Sequence, residues 1–336
     1  MKLGRSQLKY DRLKAMLELH LELSRDRSLH IDLDLPSNEI GRQILKTLSF
    51  HSSRWTTLRL GASHKDLLKD SDLSSVRNSL SQLRHLNIWF PLGMEEPFPV
   101  FQSAPALREL IIRGCVARVH NTLRSLSITI DAYDPELSPL LGCLTLPCLT
   151  HLEISASDSQ GIFTSEDFSL ASEHGFIVSF LSRSQCQLTS LSLKNLPLHD
   201  IEVVSLLQDL PSLTVLTLHD HSPDEDIDPA QFKSPFTGLF FQTCTAPAST
   251  LLPHLKELDF RYTLSLSFPT SDFLRMVHSR WIPDVAHAAE MGIDSLTSVT
   301  VRPLKERDDE LGSDLLSLRV LTAAGLRVLI LPKLLE

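Results

Sequence analysis

The side chains that could do chemistry in this sequence are few and scattered. Cys143 and Cys148 stand with four residues between them, a spacing that suits one half of a zinc site. No second Cys or His pair follows at a matching distance, so the two read as small residues of a loop. His219, Asp220 and His221 would need ligands from elsewhere to hold a metal, and read as the flank of a solvated loop. Asp224, Asp226 and Asp228 alternate as in a calcium loop, but Pro229 replaces the obligatory Gly and Pro235 stands where the bidentate Glu belongs. That acidic run is either plain solvation or a contact for a basic partner. His151 with Glu153, and Glu257 with Asp259, alternate on strand-like runs and could serve general acid–base chemistry only inside a pocket. Neither a nucleophile elbow nor a phosphate-loop motif occurs, and 12 glycines leave little material for one. The expectation is no catalytic residue, no metal, no cofactor and no enzyme.

What positions these residues is a repeat. The pattern Leu-x-x-Leu-x-Leu/Ile/Phe recurs as LRHLNI at 83, LRELII at 107, LRSLSI at 123, LTHLEI at 149, LTSLSL at 188, LTVLTL at 213, LKELDF at 255 and LTSVTV at 296. Looser copies are WTTLRL from Trp55 and LRVLIL from Leu326, and an alternating run Leu29, Ile31, Leu33, Leu35 precedes them all. Leu makes up roughly one residue in five, about double ordinary usage. The fourth and sixth residues of each copy share one side of a strand, and the third, fifth and seventh share the other. An all-Leu side must be buried, and stacked parallel copies bury it in one continuous core.

Parallel neighbours need crossovers, so helices are predicted between copies. Ile40, Ile44, Leu45 and Leu48 after Ser37 have helical spacing, as do Phe176, Ile177, Phe180 and Leu181 within 174–181. Asp200 is placed to cap a helix carrying Val203, Val204, Leu206 and Leu207, and 272–281 repeats the design with Phe273, Leu274, Met276 and Val277. Trp55 and Trp281 read as core plugs at helix ends.

The predicted fold is an α/β leucine-rich-repeat solenoid over residues 1–336, a horseshoe with parallel strands on its concave face and helices on its convex face. Residues 1–27 form an N-terminal capping helix region. It is irregular: only 16 residues separate Leu107 from Leu123, and of the places where such repeats carry Asn or Cys, only Cys115 complies. Pro91, Asp131, Ser157, Leu196 and His221 occupy the others. The concave face is then a mixed polar surface that includes His85, Asn87, Ser190, Ser192, Lys194, Thr217 and His219. On it Trp89, Ile111 and Arg113 are either hot-spot anchors for a protein partner or ordinary edge packing. His151, Glu153, Glu257, Asp259 and Arg261 complete the candidate protein-binding face.

Composition narrows the partners. A net charge of -9 favours neither nucleic acid nor anionic membrane. The longest apolar stretch, 140–149, is half of what a bilayer span requires. Five cysteines and no glycosylation sequon point to the cytoplasm or nucleus. The basic start carries Glu and Asp where a signal peptide needs an apolar core.

Six stretches carry a family resemblance: HSSRWTTLRL (51–60), FQSAPALRELII (101–112), FLSRSQCQLTSLSL (180–193), LLQDLPSLTVLTL (206–218), LLPHLKELDF (251–260) and MVHSRW (276–281). Together they resemble the leucine-rich-repeat region of F-box proteins of basidiomycete fungi. The resemblance implies protein–protein recognition as the substrate-recruiting part of a Skp–cullin–F-box ubiquitin ligase. The Leu-Pro-x-Glu signature that opens an F-box does not occur, so a Skp-type adaptor and cullin are expected only where an F-box is supplied. The alternative is a stand-alone interaction scaffold with an unknown protein partner and no ligase connection.

Overall fold

The computed structural model describes residues 4–35, 39–62, 76, 79–89, 104–113, 122–130, 137–156, 168–220, 234–246, 251–262, 268–303 and 318–330. Its strands are β1 (Leu29–Leu35), β2 (Trp55–Ala62), β3 (His85–Trp89), β4 (Glu109–Arg113), β5 (Ser125–Ile130), β6 (His151–Ala156), β7 (Ser190–Lys194), β8 (Val215–His219), β9 (Glu257–Tyr262), β10 (Ser298–Pro303) and β11 (Arg327–Ile330). Their hydrogen-bonded order repeats the order of the chain. The fold is α/β with parallel pairing. It divides into two compact units, one of residues 1–127 with 143–148, the other of 128–142 with 149–336.

In the first unit the leucine pattern becomes two apolar rows that cross the strands in register. One runs Ile31, Leu58, Leu86, Leu110 and the other Leu33, Leu60, Ile88, Ile112. Leu58 and Leu60 are each 1% exposed. The first residue of each copy forms a third row just ahead of the strands, where Leu83, Leu107 and Leu123 are buried and Trp55 fills the same slot in β2. Helix α1 (Gly4–Ser24) buries Leu21, while Leu13, Met16, Leu19 and Leu23 are exposed. Its C-terminal end is tied down by Arg54, which donates to Ser24 Oγ and to the carbonyl of Arg27. Helix α2 (Glu39–Ser49) buries Leu45 and Leu48.

The second unit has two rows of the same kind, Leu152, Leu191, Leu216, Leu258, Val299 and Ile154, Leu193, Leu218, Phe260, Val301. The helices that alternate with these strands along the chain are α3 (Ser138–Cys143), α4 (Leu170–Ser184), α5 (Asp200–Gln208), α6 (Gly238–Thr243), α7 (Thr270–Arg280), α8 (Val285–Glu290) and α9 (Leu318–Ala323). Phe260 replaces the usual aliphatic residue, and an aromatic cluster forms around it. Phe236 lies 5.1 Å and Phe241 5.9 Å from its ring, and Phe273 lies 5.3 Å from Phe241. Edge-to-face pairs of this kind contribute about 0.5–1.5 kcal/mol beyond area burial.

Several expectations need correction. The buried stripe of α4 is Leu170, Glu173, Ile177, Phe180 and Ser184, which turns Phe176 about 100° away and leaves it 47% exposed. Asp200 is the first residue of α5 and His199 its cap; Glu202 reaches back to accept from the His199 N–H at 3.2 Å. Trp281 is only half-buried, whereas Arg280, unremarked in the sequence, is wholly buried. In β11 the register pairs Val328 with Val299 and Ile330 with Val301, so the last copy is offset by one residue from LRVLIL. Of the six places where such repeats carry Asn or Cys, only Leu196 falls within the described residues, and it is buried as an apolar plug.

Candidate functional site

The third, fifth and seventh residues of the copies form the open face of the sheet, opposite the apolar rows. Charged side chains on it pair across neighbouring strands. In the first unit Arg59 Nη1 lies 3.5 Å from Asp32 Oδ2, and His85 Nε2 lies 3.8 Å from Glu109 Oε2. In the second unit Lys194 donates to Glu153, and Arg302 Nη2 donates to Asp259 Oδ2 at 2.9 Å. Exposed pairs of this type contribute about 0.2–1 kcal/mol each, so they define the surface more than they hold the fold.

The densest group spans β8, β9 and β10. His219 Nε2 lies 3.8 Å from Asp259 Oδ1, beyond hydrogen-bond reach, and Arg302 holds the other oxygen. Burial pushes the Asp259 carboxyl up, but His219 and Arg302 outweigh it and hold the group below its usual range. Among the described residues His219 Nε2, Asp259 Oδ1 and Arg302 Nε are buried without a hydrogen-bond partner. Register also lines up Lys194, His219, Arg261 and Arg302 as a basic row along the seventh position of four successive copies. The Arg261 carbonyl accepts from the Asp220 N–H at 2.7 Å, which ties the start of the β8 exit loop to β9.

The other expected residues fall as follows. The backbone sets Trp89 opposite Arg113 and Asn87 opposite Ile111. Ile111 is half-buried, and the side chains of Trp89 and Arg113 lie outside the described residues. His151 and Glu153 share the open face of β6 but have separate partners. His151 Nδ1 is 2.7 Å from Thr150 Oγ1, and Glu153 is engaged by Lys194. Glu257 is exposed, opposite Val215 and Ser298. Cys148 is exposed, while 221–233, with the acidic run and His221, lies outside the described residues. Among the described residues no group of three or more His, Cys, Asp or Glu could hold a metal, and no helix is long and apolar enough to cross a membrane.

Sequence reasoning missed Arg302. Its signal was the seventh position of LTSVTVR, the same place that flagged Trp89, Arg113 and Arg261. Chemically the face offers paired charges, hydroxyls and the guanidinium groups of Arg59, Arg261 and Arg302 to a polar surface. Comparison with protein-family models and with curated proteins finds no match to the chain.

Proposed function

We propose that the chain is an irregular leucine-rich-repeat horseshoe that recognises a protein through the concave face of its sheet and performs no catalysis. The observation that carries this reading is the open face itself. On strand after strand it presents polar and charged side chains, fixed by cross-strand pairs, above apolar rows that run in register beneath them. A surface whose charges are already held in place loses little side-chain entropy on binding. Trp89, Ile111 and Arg113 are assigned as its anchors in the first unit, and Glu257, Asp259 and Arg261 as polar contacts in the second. The resemblance to F-box repeat regions supports a role as the substrate-recruiting part of a Skp–cullin–F-box ubiquitin ligase, in the cytoplasm or nucleus.

Affinity purification of the chain from its own cells, with mass spectrometry of what co-elutes, tests the role. Co-elution of a Skp adaptor and a cullin with a third protein is the expected result. A single partner without either component leaves recognition standing and removes the ligase. Alanine at Trp89 and Arg113 is expected to weaken partner binding by well over twofold, and a change within twofold would remove them as anchors.

A further inference from the structure

The second residue of each copy links the repeats through its backbone. Arg84 N donates to Thr56 O, Arg108 N to Arg84 O and Arg124 N to Arg108 O, each at 2.9 Å. In the second unit the same place is held by Thr150, Thr189, Thr214, Lys256, Thr297 and Arg327, and the hydroxyls of Thr189, Thr214 and Thr297 donate to the carbonyl of the preceding copy at 3.2, 3.0 and 3.0 Å. Thr56 does the same to Leu29 O at 3.2 Å. Threonine therefore satisfies the fold at this position, and nothing in the backbone arrangement asks for arginine.

The first unit nevertheless places three arginines there in succession. Parallel strands lie about 4.8 Å apart, so this stacks like charges on neighbouring strands, which is destabilising by itself. Arg84, Arg108 and Arg124 converge on a cavity of about 300 Å³, at the small end of ligand pockets. Pro105 and Ala106 give it an apolar wall, and Thr122 and the exposed Cys148 complete its lining. Among the described residues no carboxylate lines it. The nearest in sequence, Glu109, lies against His85 on the sheet's open face. Arg84 and Arg108 are exposed and form no ion pair or side-chain hydrogen bond among the described residues. The Thr122 hydroxyl is already spent on Leu107 O at 2.8 Å, so the side-chain donors offered to the cavity are the guanidinium groups of Arg84 and Arg108.

We infer that this cavity binds a phosphate-class dianion, held by Arg84 and Arg108, with Arg124 in its lining. Planar guanidinium forks match the oxygens of a phosphate in bidentate fashion, and a doubly charged ligand relieves the repulsion between Arg84 and Arg108. The site lies on the edge where chains enter the strands, away from the open face, and stands whether or not that face recognises a protein. The ligand is either a free phosphate or a phosphorylated side chain of another molecule, since both present the same oxygens.

Calorimetric titration of the full chain with inorganic phosphate, pyrophosphate and a phosphoserine peptide tests the site, with Cys148 alkylation followed by peptide mapping. Saturable binding that weakens with salt and shields Cys148 is expected. Arg84→Gln and Arg108→Gln should each weaken it by about tenfold, equivalent to about 1.4 kcal/mol, and Arg108→Lys by less. Both positions are exposed and removing a like charge relieves repulsion, so thermal midpoints should not fall below the parent's and loss of binding cannot be ascribed to unfolding. Arg42→Gln, exposed on α2 of the same unit, should leave binding unchanged. A phosphoserine peptide that outcompetes inorganic phosphate identifies a phosphorylated side chain as the ligand, and the reverse order identifies a free anion. Absence of saturation by all three probes at 10 mM (roughly −2.7 kcal/mol) overturns the site. So does binding that survives the Arg84→Gln, Arg108→Gln double variant.

Discussion

Replacing Arg280 with Met probes the least expected element of this structure. Arg280 closes α7 with its side chain wholly buried, and its guanidinium donates to three backbone carbonyls, those of Cys244, Leu251 and Leu252. These carbonyls belong to the segment that leads from α6 into β9. Leu252 sits there at φ +52, a left-handed conformation that costs a non-glycine residue about 1–2 kcal/mol. Arg280 is thus the group that holds a strained turn closed. Met fills similar volume but supplies no donor, so three buried acceptors lose their partner at about 1–3 kcal/mol each. The turn can open and let water reach some of them, which brings the expected loss down to about 3–5 kcal/mol, the range for breaking a buried charged network. Equilibrium urea unfolding followed by circular dichroism measures it, with the slope unchanged and the midpoint lowered. Arg280→Lys, able to reach only part of the carbonyl set, should fall between the two. A loss below about 1 kcal/mol for Arg280→Met would show that the turn is held by its apolar contacts and that the carbonyl cradle is incidental.

Three further outcomes are expected. Phe241→Ala removes a fully buried ring that meets Phe240, Phe260, Phe268 and Phe273, and should destabilise the protein by about 3–5 kcal/mol in the same unfolding assay. Asp259 has a depressed folded pKa, so its contribution is present above the unfolded value of about 3.9 and is lost as pH falls through the folded value. Thermal melts between pH 5 and pH 2 (roughly the window spanned by carboxylate titration) should therefore show a shallower acid decline for Asp259→Asn than for the parent, and equal slopes would contradict the pairing with His219 and Arg302. Alkylation at mildly alkaline pH should modify exposed Cys148 ahead of half-buried Cys186. Cys244, buried and with its thiol pushed up to about 12, should react only when the protein unfolds.

The apolar rows were legible because a period of two on strands and a repeated Leu slot leave a single way to bury Leu58, Leu86 and Leu110 together. The helices were legible where their apolar stripe was regular, as in α2 and α5, and less so in α4, where an apolar Phe176 lies just off the buried line. Sequence patterns rank Arg as a surface residue, so Arg280 was invisible: its burial depends on carbonyls supplied by a turn more than twenty residues away. The open face followed from strand alternation alone. Which of its members pair did not follow, because Lys194 to Glu153 and Arg302 to Asp259 are diagonal contacts fixed by register and side-chain reach. The cavity between Arg84, Arg108 and Arg124 was hidden in the same way, since the Leu-x-x-Leu-x-Leu/Ile/Phe pattern leaves its second slot open.

The most direct test of protein recognition by the open face is site-specific photo-crosslinking in the chain's own cells. A photoreactive residue is placed at Glu257 on the open face of β9 or, as a control, at the exposed Ile201 of α5. The account predicts a discrete crosslinked protein from position 257, lost when Asp259 and Arg302 are both replaced by Ala, and none from position 201. A discrete product from 201 alone, or one from 257 that persists in the double alanine variant, would contradict it.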